Sequence, residues 1–302
     1  MNWELHDIAI VGGGMMGRSI AVKIAQQGIH VHLKELSEER VEACEADLAA
    51  ELERAVQRFD STEAEKRAVL SRIRWDTSFD CAQGCDLAIE TVQEDAELKR
   101  GILSELDAVL PTTHPLVVNT STLSITELAA TCKNPERVVG MHFLYPVTQT
   151  RVVEVVRGQL TADAVFERAI AFARLLGKVP IKCFEMPGFV TTRVVLPMVN
   201  EAMHVVMEGV AEPADVDLAM KLGYDFRLGP LEWADRVGLD KVHNWLQHLH
   251  QETGEPRFRP CPLLKRLVRA GLLGAKTGRG FFTYGPDRKR LDRPNDDRPG
   301  LA

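Results

Sequence analysis

No run of apolar residues in this sequence approaches the ~20 in succession that a membrane-spanning helix needs. The first residues also lack the charged-then-apolar pattern of a secretory leader. A membrane protein and an exported one are therefore not expected, and a cytoplasmic location is. Positive charge is not in excess either: 37 Lys and Arg stand against 43 Asp and Glu, for a net charge of −6, and no long basic cluster offsets it. That argues against a general nucleic-acid binder, whose affinity rests on neutralising phosphates. Paired cysteines are missing as well. Cys44, Cys81, Cys85, Cys132, Cys183 and Cys261 are scattered, and the one close pair, Cys81 and Cys85, has no second pair to complete a metal site. Reduced, partly buried thiols are expected, and no metal.

What is present is the composition of a soluble globular chain, 45% hydrophobic and 26% charged over 302 residues, long enough for two domains. The stretch from His6 to Glu35 organises the rest. Asp7 to Val11 is a short strand-type run that leads directly into Gly12-Gly13-Gly14-Met15-Met16-Gly17. This fits G-x-G-x-x-G at Gly12, Gly14 and Gly17. Gly12 allows a tight turn out of the strand, Gly14 leaves room for a pyrophosphate, and Gly17 lets helix and strand pack closely. The helix that follows offers free N–H groups and a positive dipole end to phosphates. A second strand, His30 to Leu33, leads to Glu35, placed to accept hydrogen bonds from the hydroxyls of an adenosine ribose. Gly12, Gly14, Met15, Met16, Gly17 and Glu35 are thus the expected cofactor residues. The acid favours NAD over NADP, with Lys34 beside it tempering that preference.

Ser37 to Arg72 reads as two charged helices, with Thr62 and Glu65 as a capping box for the second. Strands are expected at 73–75, 86–90, 116–119, 138–142, 152–156 and 179–183, with helices at 94–109 and after Ser124. A further helix, capped by Thr161 or Asp163, stops at Gly177. Strand and helix in alternation mean a doubly wound α/β sheet of Rossmann type, with ligands at the carboxyl ends of its strands. Past Met186-Pro187-Gly188 only helices are expected, the first kinked or interrupted at Pro197. The expected organisation is an NAD-binding domain over 1–186, an all-helical substrate and dimerisation domain over 187–284, and a disordered tail over 285–302. Asn119, Ser121 and His142 fall at strand ends, and Glu154 lies in the next strand, where adjacent strands would pair it with His142. Lys276 and Arg279 read as a structural turn, and Trp233 and Trp245 as core.

The sequence resembles the L-3-hydroxyacyl-CoA dehydrogenase family, including 3-hydroxybutyryl-CoA dehydrogenases, over nearly its whole length. The resemblance rests on GGGMMG at 12–17, IETVQEDAELK at 89–99, NTSTLSI at 119–125 and GMHFLYPV at 140–147. It continues in VEVVRG at 153–158, MPGFVTTRVVLPMVNEA at 186–202, LGPLEWADRVGLD at 228–240 and GAKTGRGFFTY at 274–284. It implies that His142 is the catalytic base, Glu154 its partner acid and Ser121 the contact to both substrate and nicotinamide. It adds Glu94, Lys99 and Asn119 to the cofactor residues, and a homodimer built through the helical domain. The implied reaction is NAD-dependent oxidation of a short L-3-hydroxyacyl-CoA to the 3-oxoacyl thioester. Three positions depart from the family pattern: Thr192 replaces the asparagine that helps hold the substrate oxygens, Tyr145 replaces the asparagine of FFNP, and EACEADLAA at 42–50 replaces a serine and lysine that meet CoA. Acidic residues there would repel the CoA phosphates. A hydroxyacyl unit on an acyl carrier protein, of the hydroxymalonyl type in polyketide extender pathways, is therefore an alternative, as is a free hydroxy acid of the gulonate or carnitine type. A catalytically quiet relative such as lambda-crystallin is disfavoured by Ser121, His142 and Glu154 together.

Overall fold

The protein is described here by a computed structural model covering residues 4–291. The chain divides into two compact units between Phe189 and Val190.

The first unit is built on one eight-stranded sheet. Strands β1 (Asp7–Val11), β2 (His30–Lys34), β3 (Ile73–Asp76), β4 (Leu87–Glu90), β5 (Leu116–Val118), β6 (Val138–Phe143), β7 (Val152–Arg157) and β8 (Val179–Phe184) lie in the order β3-β2-β1-β4-β5-β6-β7-β8. The chain runs outward from β1 in one direction and from β4 in the other. The crevice between those two strands is the switch point where such sheets take their ligands. β1 is buried at every position after Asp7, and β4 and β6 are buried throughout, as expected of strands covered on both faces. All neighbours are parallel except β6 and β7. No helix separates those two, and a parallel pair would need a long crossover. Their antiparallel register sets His142 opposite Glu154.

Helix α1 (Met15–Ala25) follows the glycine loop, and α2 (Glu38–Gln57) and α3 (Glu63–Leu70) form the expected charged pair. The Thr62–Glu65 capping box is complete on both sides. Helices α4 (Ala96–Val109), α5 (Ile125–Ala129) and α6 (Asp163–Leu175) complete the layers, with Ser124 capping α5 as expected. One expected cap is corrected. Ala162 precedes α6 and gives no side-chain bond. The Thr161 hydroxyl is spent elsewhere, donating to Val138 O at 2.7 Å and accepting from Gly158 N at 3.1 Å.

The second unit is helical: α7 (Thr191–Met207), α8 (Pro213–Tyr224), α9 (Pro230–Val237), α10 (Leu239–Thr253) and α11 (Pro262–Arg269). Pro197 does not interrupt α7, which runs on as one helix on both sides of it. Leu196, Val199, Met203, Leu231, Leu246 and Phe258 sit at its core, with Trp233 and Trp245 packed against them. Its C-terminal turn folds around the fully buried Asp235, which accepts from Phe281 N, Phe282 N and Tyr284 Oη. Gly274 and Gly280 are required there, since a Cβ on either would lie about 2 Å from Asp235 atoms. Lys276 pairs with Asp240 at 2.6 Å, the structural turn expected of it. Residues 285–291 are folded rather than disordered: Arg290 bridges to Tyr284, stacks on Phe282 and reaches Glu232 at 3.5 Å. Burying that guanidinium against an aromatic face and a carboxylate outweighs the polar composition. The rest of the expected tail, 292–302, lies outside the described residues.

Candidate active site

The carboxyl ends of β1, β2, β4, β5 and β6 carry the site residues of the first unit. At the end of β1 the backbone of Gly12 turns at φ +105, a region that favours glycine. A Cβ on Gly17 would lie 1.8 Å from Gly12 O, so helix α1 packs against the loop only because residue 17 has none. A Cβ on Gly14 would meet nothing within 4 Å, so the loop is open where a phosphate would approach. No side chain caps α1, and its first N–H groups are left to the loop's surroundings. Thr91, just past β4, pins the loop from behind through Val11 O and Gly12 O.

Glu35 follows β2 and is only 6% exposed. One oxygen accepts from Gly13 N at 2.7 Å and the other from Leu36 N at 3.1 Å, with the Arg40 guanidinium at 3.8 Å. The carboxylate is therefore tied to the glycine loop itself. Lys34 does not offset it: the neighbouring strand position points to the opposite face, and its ammonium lies over the Phe79 ring at 4.4 Å.

Between β4 and β5 a buried polar network supports the next residues. Both Glu90 oxygens lie 2.8 Å from Lys99 Nζ, and both side chains are wholly buried. Burial pushes the Glu90 carboxyl up to about 7 against the pull of Lys99. Lys99 Nζ also donates to Val92 O and Asn119 O. In this arrangement its charge faces inward, as a brace for Asn119. Asn119 in turn accepts from Phe143 N at 3.2 Å, linking β5 to the strand that carries His142. Glu94 accepts from Ser121 N at 2.9 Å, from Thr122 N at 3.1 Å and from the Thr120 hydroxyl at 2.5 Å. It holds the loop that presents Ser121.

His142 brings these parts together. Its Nδ1 lies 2.6 Å from Glu154 Oε2 and its Nε2 lies 3.1 Å from Ser121 Oγ. Glu154 is wholly buried and His142 is 6% exposed. A buried carboxylate at Nδ1 fixes the tautomer and leaves the Nε2 lone pair toward Ser121, so the ring can take a proton from a hydroxyl placed there. Phe189, absent from the sequence-based site, closes one side of the ring at 5.9 Å between centroids. Its backbone sits at φ +46 directly after Gly188 at φ +80, an unusual conformation for a bulky residue. Thr192 lies in the second unit, at the second residue of α7.

Comparison with known proteins gives this arrangement its place. Residues 7–186 match the NAD-binding domain of 3-hydroxyacyl-CoA dehydrogenase, and residues 188–284 match the C-terminal domain of the same family. The chain belongs to the 3-hydroxyacyl-CoA dehydrogenase family. It is an NAD-dependent oxidoreductase acting on a CH–OH group. This dehydrogenase is 42% identical to the 3-hydroxybutyryl-CoA dehydrogenase of Bradyrhizobium diazoefficiens over 280 residues, 93% of this chain and 96% of that one. It is 38% identical to the 3-hydroxybutyryl-CoA dehydrogenase of Clostridioides difficile over 277 residues, 92% and 99% of the two chains. Its fold is similar to the crystal structure of (S)-3-hydroxybutyryl-CoA dehydrogenase from Ralstonia eutropha, with a TM-score of 0.88 at 39% identity, covering 93% of this chain and 100% of that one. The open cradle at Gly14, the uncapped start of α1 and the carboxylate of Glu35 beside the loop fit the pyrophosphate and ribose of NAD.

Proposed function

We propose that this dehydrogenase oxidises the hydroxyl of a short L-3-hydroxyacyl-CoA, of the 3-hydroxybutyryl type, to the 3-oxoacyl thioester, reversibly. The observation that carries the reading is the line from Ser121 Oγ through His142 to Glu154, with separations of 3.1 and 2.6 Å. A substrate hydroxyl beside Ser121 gives its proton to His142 Nε2, and Glu154 stabilises the imidazolium that results. The Ser121 hydroxyl turns to donate to the developing carbonyl oxygen. NAD, when bound, supplies the hydride acceptor. Gly12, Gly14, Met15, Met16, Gly17 and Glu35 hold it, with Asn119 and Glu94 at the far end and Lys99 bracing Asn119 from within. Thr192 is assigned to the substrate oxygens, on a shorter arm than the asparagine it replaces.

The relatives named above as 3-hydroxybutyryl-CoA dehydrogenases support the CoA thioester as substrate. A second reading, a hydroxyacyl group on a carrier protein, is favoured by Glu42, Glu45 and Asp47, all exposed on α2 where CoA phosphates would meet like charge. NADH absorbance with 3-hydroxybutyryl-CoA, the same acyl group on a carrier protein, carrier-bound hydroxymalonyl and free hydroxy acids separates the two. The CoA thioester should show the highest kcat/KM by at least about tenfold. A faster carrier-bound substrate replaces the first reading with the second.

We assign the enzyme to the cytoplasm, in keeping with there being no helix among the described residues long and apolar enough to cross a membrane. We also assign it a homodimer through the second unit, supported by the exposed apolar side chains of Val210, Leu222 and Tyr224 there.

A further inference from the structure

Arg18, in the first turn of α1, is a charged residue that the fold buries, only 7% exposed. Its partners explain why the fold tolerates it. Nη1 donates to Gly13 O at 2.9 Å, in the middle of the glycine loop. Nη2 meets Glu51 Oε1 at 2.8 Å and Asp47 Oδ2 at 3.2 Å, both on α2. Cys44, Asp47 and Glu51 recur at helical spacing and form one stripe on that helix. The Cys44 thiol lies 3.7 Å from Glu35 Oε1, and that same oxygen accepts from Gly13 N. The two backbone groups of Gly13 are thus held from two sides: its N–H by Glu35 and its C=O by Arg18. A trans peptide is planar, so fixing the Gly13 carbonyl toward Arg18 also turns the Gly14 N–H away from it. Gly14 is the open position of the loop, with nothing within 4 Å of where a Cβ would stand.

We infer that Arg18 is a positioning residue for the dinucleotide, locking the glycine loop to α2 through Gly13 O, Asp47 and Glu51. This also gives Asp47 and Glu51 a task in a segment whose acidity otherwise opposes a phosphate-bearing ligand. The inference rests on the reading that Gly12–Gly17 and Glu35 hold NAD, and the experiment keeps the two apart.

NADH binding, followed by its fluorescence without substrate, is measured for the wild type, R18M, R18K, the D47N/E51Q double variant and E35Q, alongside thermal unfolding. R18M should raise the NADH Kd about tenfold, as one charge-assisted bond implies, while KM for the acyl thioester stays within about twofold. R18K should recover part of the affinity, and D47N/E51Q should raise Kd by about threefold. A purely structural Arg18 would lower the melting temperature and leave Kd unchanged well below it. That result, with E35Q weakened, overturns the role of Arg18 alone. Unchanged affinity in both R18M and E35Q overturns the loop assignment and this inference with it. If R18M does not fold, D47N/E51Q decides: a raised Kd supports the inference and an unchanged one overturns it.

Discussion

At the scale of single residues, the proposed chemistry depends on what each nitrogen of His142 meets. In the proposed reaction Glu154, 2.6 Å from Nδ1, has two tasks: it selects the tautomer and it offsets the positive charge that appears when Nε2 takes a proton. Glu154→Gln keeps the shape but removes the charge, and an amide can equally donate to Nδ1 and reverse the tautomer. The variant should lose roughly 10²-fold or more in kcat while its NADH Kd stays within about twofold. Stopped-flow turnover and fluorescence titration check the two halves, and full turnover would remove Glu154 from the mechanism. That His142 would meet Glu154 and Ser121 was legible in the sequence, because each follows or lies within a buried strand and adjacent strands pair them. Phe189 was not. Nothing local in MPGF reports that a phenylalanine at positive φ folds back onto a histidine 47 positions earlier, because that contact exists only after the sheet has closed. The inward aim of Lys99 was hidden for a similar reason: its partner Glu90 is nearby in sequence, but which way the ammonium turns also depends on Asn119, just past β5.

At the scale of elements, local signals predicted well wherever one residue's side chain had a single local use. Thr62 and Ser124 cap their helices as their spacing indicated. Thr161 does not, because a long-range acceptor, Val138 O, took its hydroxyl. The same competition governs the connection between β6 and β7, the strands that carry His142 and Glu154. Ser19 of α1 accepts from Val147 N at 3.1 Å, and Lys178 donates to Val147 O and Thr150 O, each at 2.6 Å. Lys178 is 5% exposed; burial pushes its ammonium down to about 8, and Lys23 adds repulsion. A lysine whose pKa falls on folding holds its proton less well in the native state than in the unfolded chain, where it titrates near 10.5. Its charged form is a cost present in full below pH 8 and relieved as pH rises from 8 to about 10.5. The stability of the wild type relative to Lys178→Met should therefore increase across that window, by up to about 3 kcal/mol at 1.4 kcal/mol per pKa unit. Urea unfolding of both proteins at pH 7 and pH 10 measures this, since other alkaline titrations cancel in the difference. A difference that does not move with pH would show that the bonds to Val147 O and Thr150 O offset the burial and that the ammonium keeps its ordinary pKa.

For the whole molecule, the alternation of strand and helix announced a doubly wound sheet, while the strand order and the antiparallel β6–β7 pair emerged only from the pairing itself. The helical second unit was legible for a different reason. Its apolar residues recur at helical spacing, and they bury against one another in a core of their own. That core leaves some apolar side chains outside: Val210 is 71% exposed, Leu222 66% and Tyr224 73%. Single exposed apolar residues are ordinary, but Leu222 and Tyr224 lie two positions apart at the C-terminal end of α8, and we propose that they belong to the subunit contact. An obligate homodimer interface is apolar and excludes charge from its centre. A carboxylate placed there has to be desolvated without a partner, at a cost that weak apolar contacts cannot offset. Leu222→Glu combined with Tyr224→Ser should therefore halve the mass seen by light scattering at micromolar concentration. The first unit, which carries the glycine loop and Glu35, should still bind NADH in that variant. A wild type that is already monomeric, or a variant that keeps the wild-type mass, would place the subunit contact elsewhere and leave these side chains as plain surface.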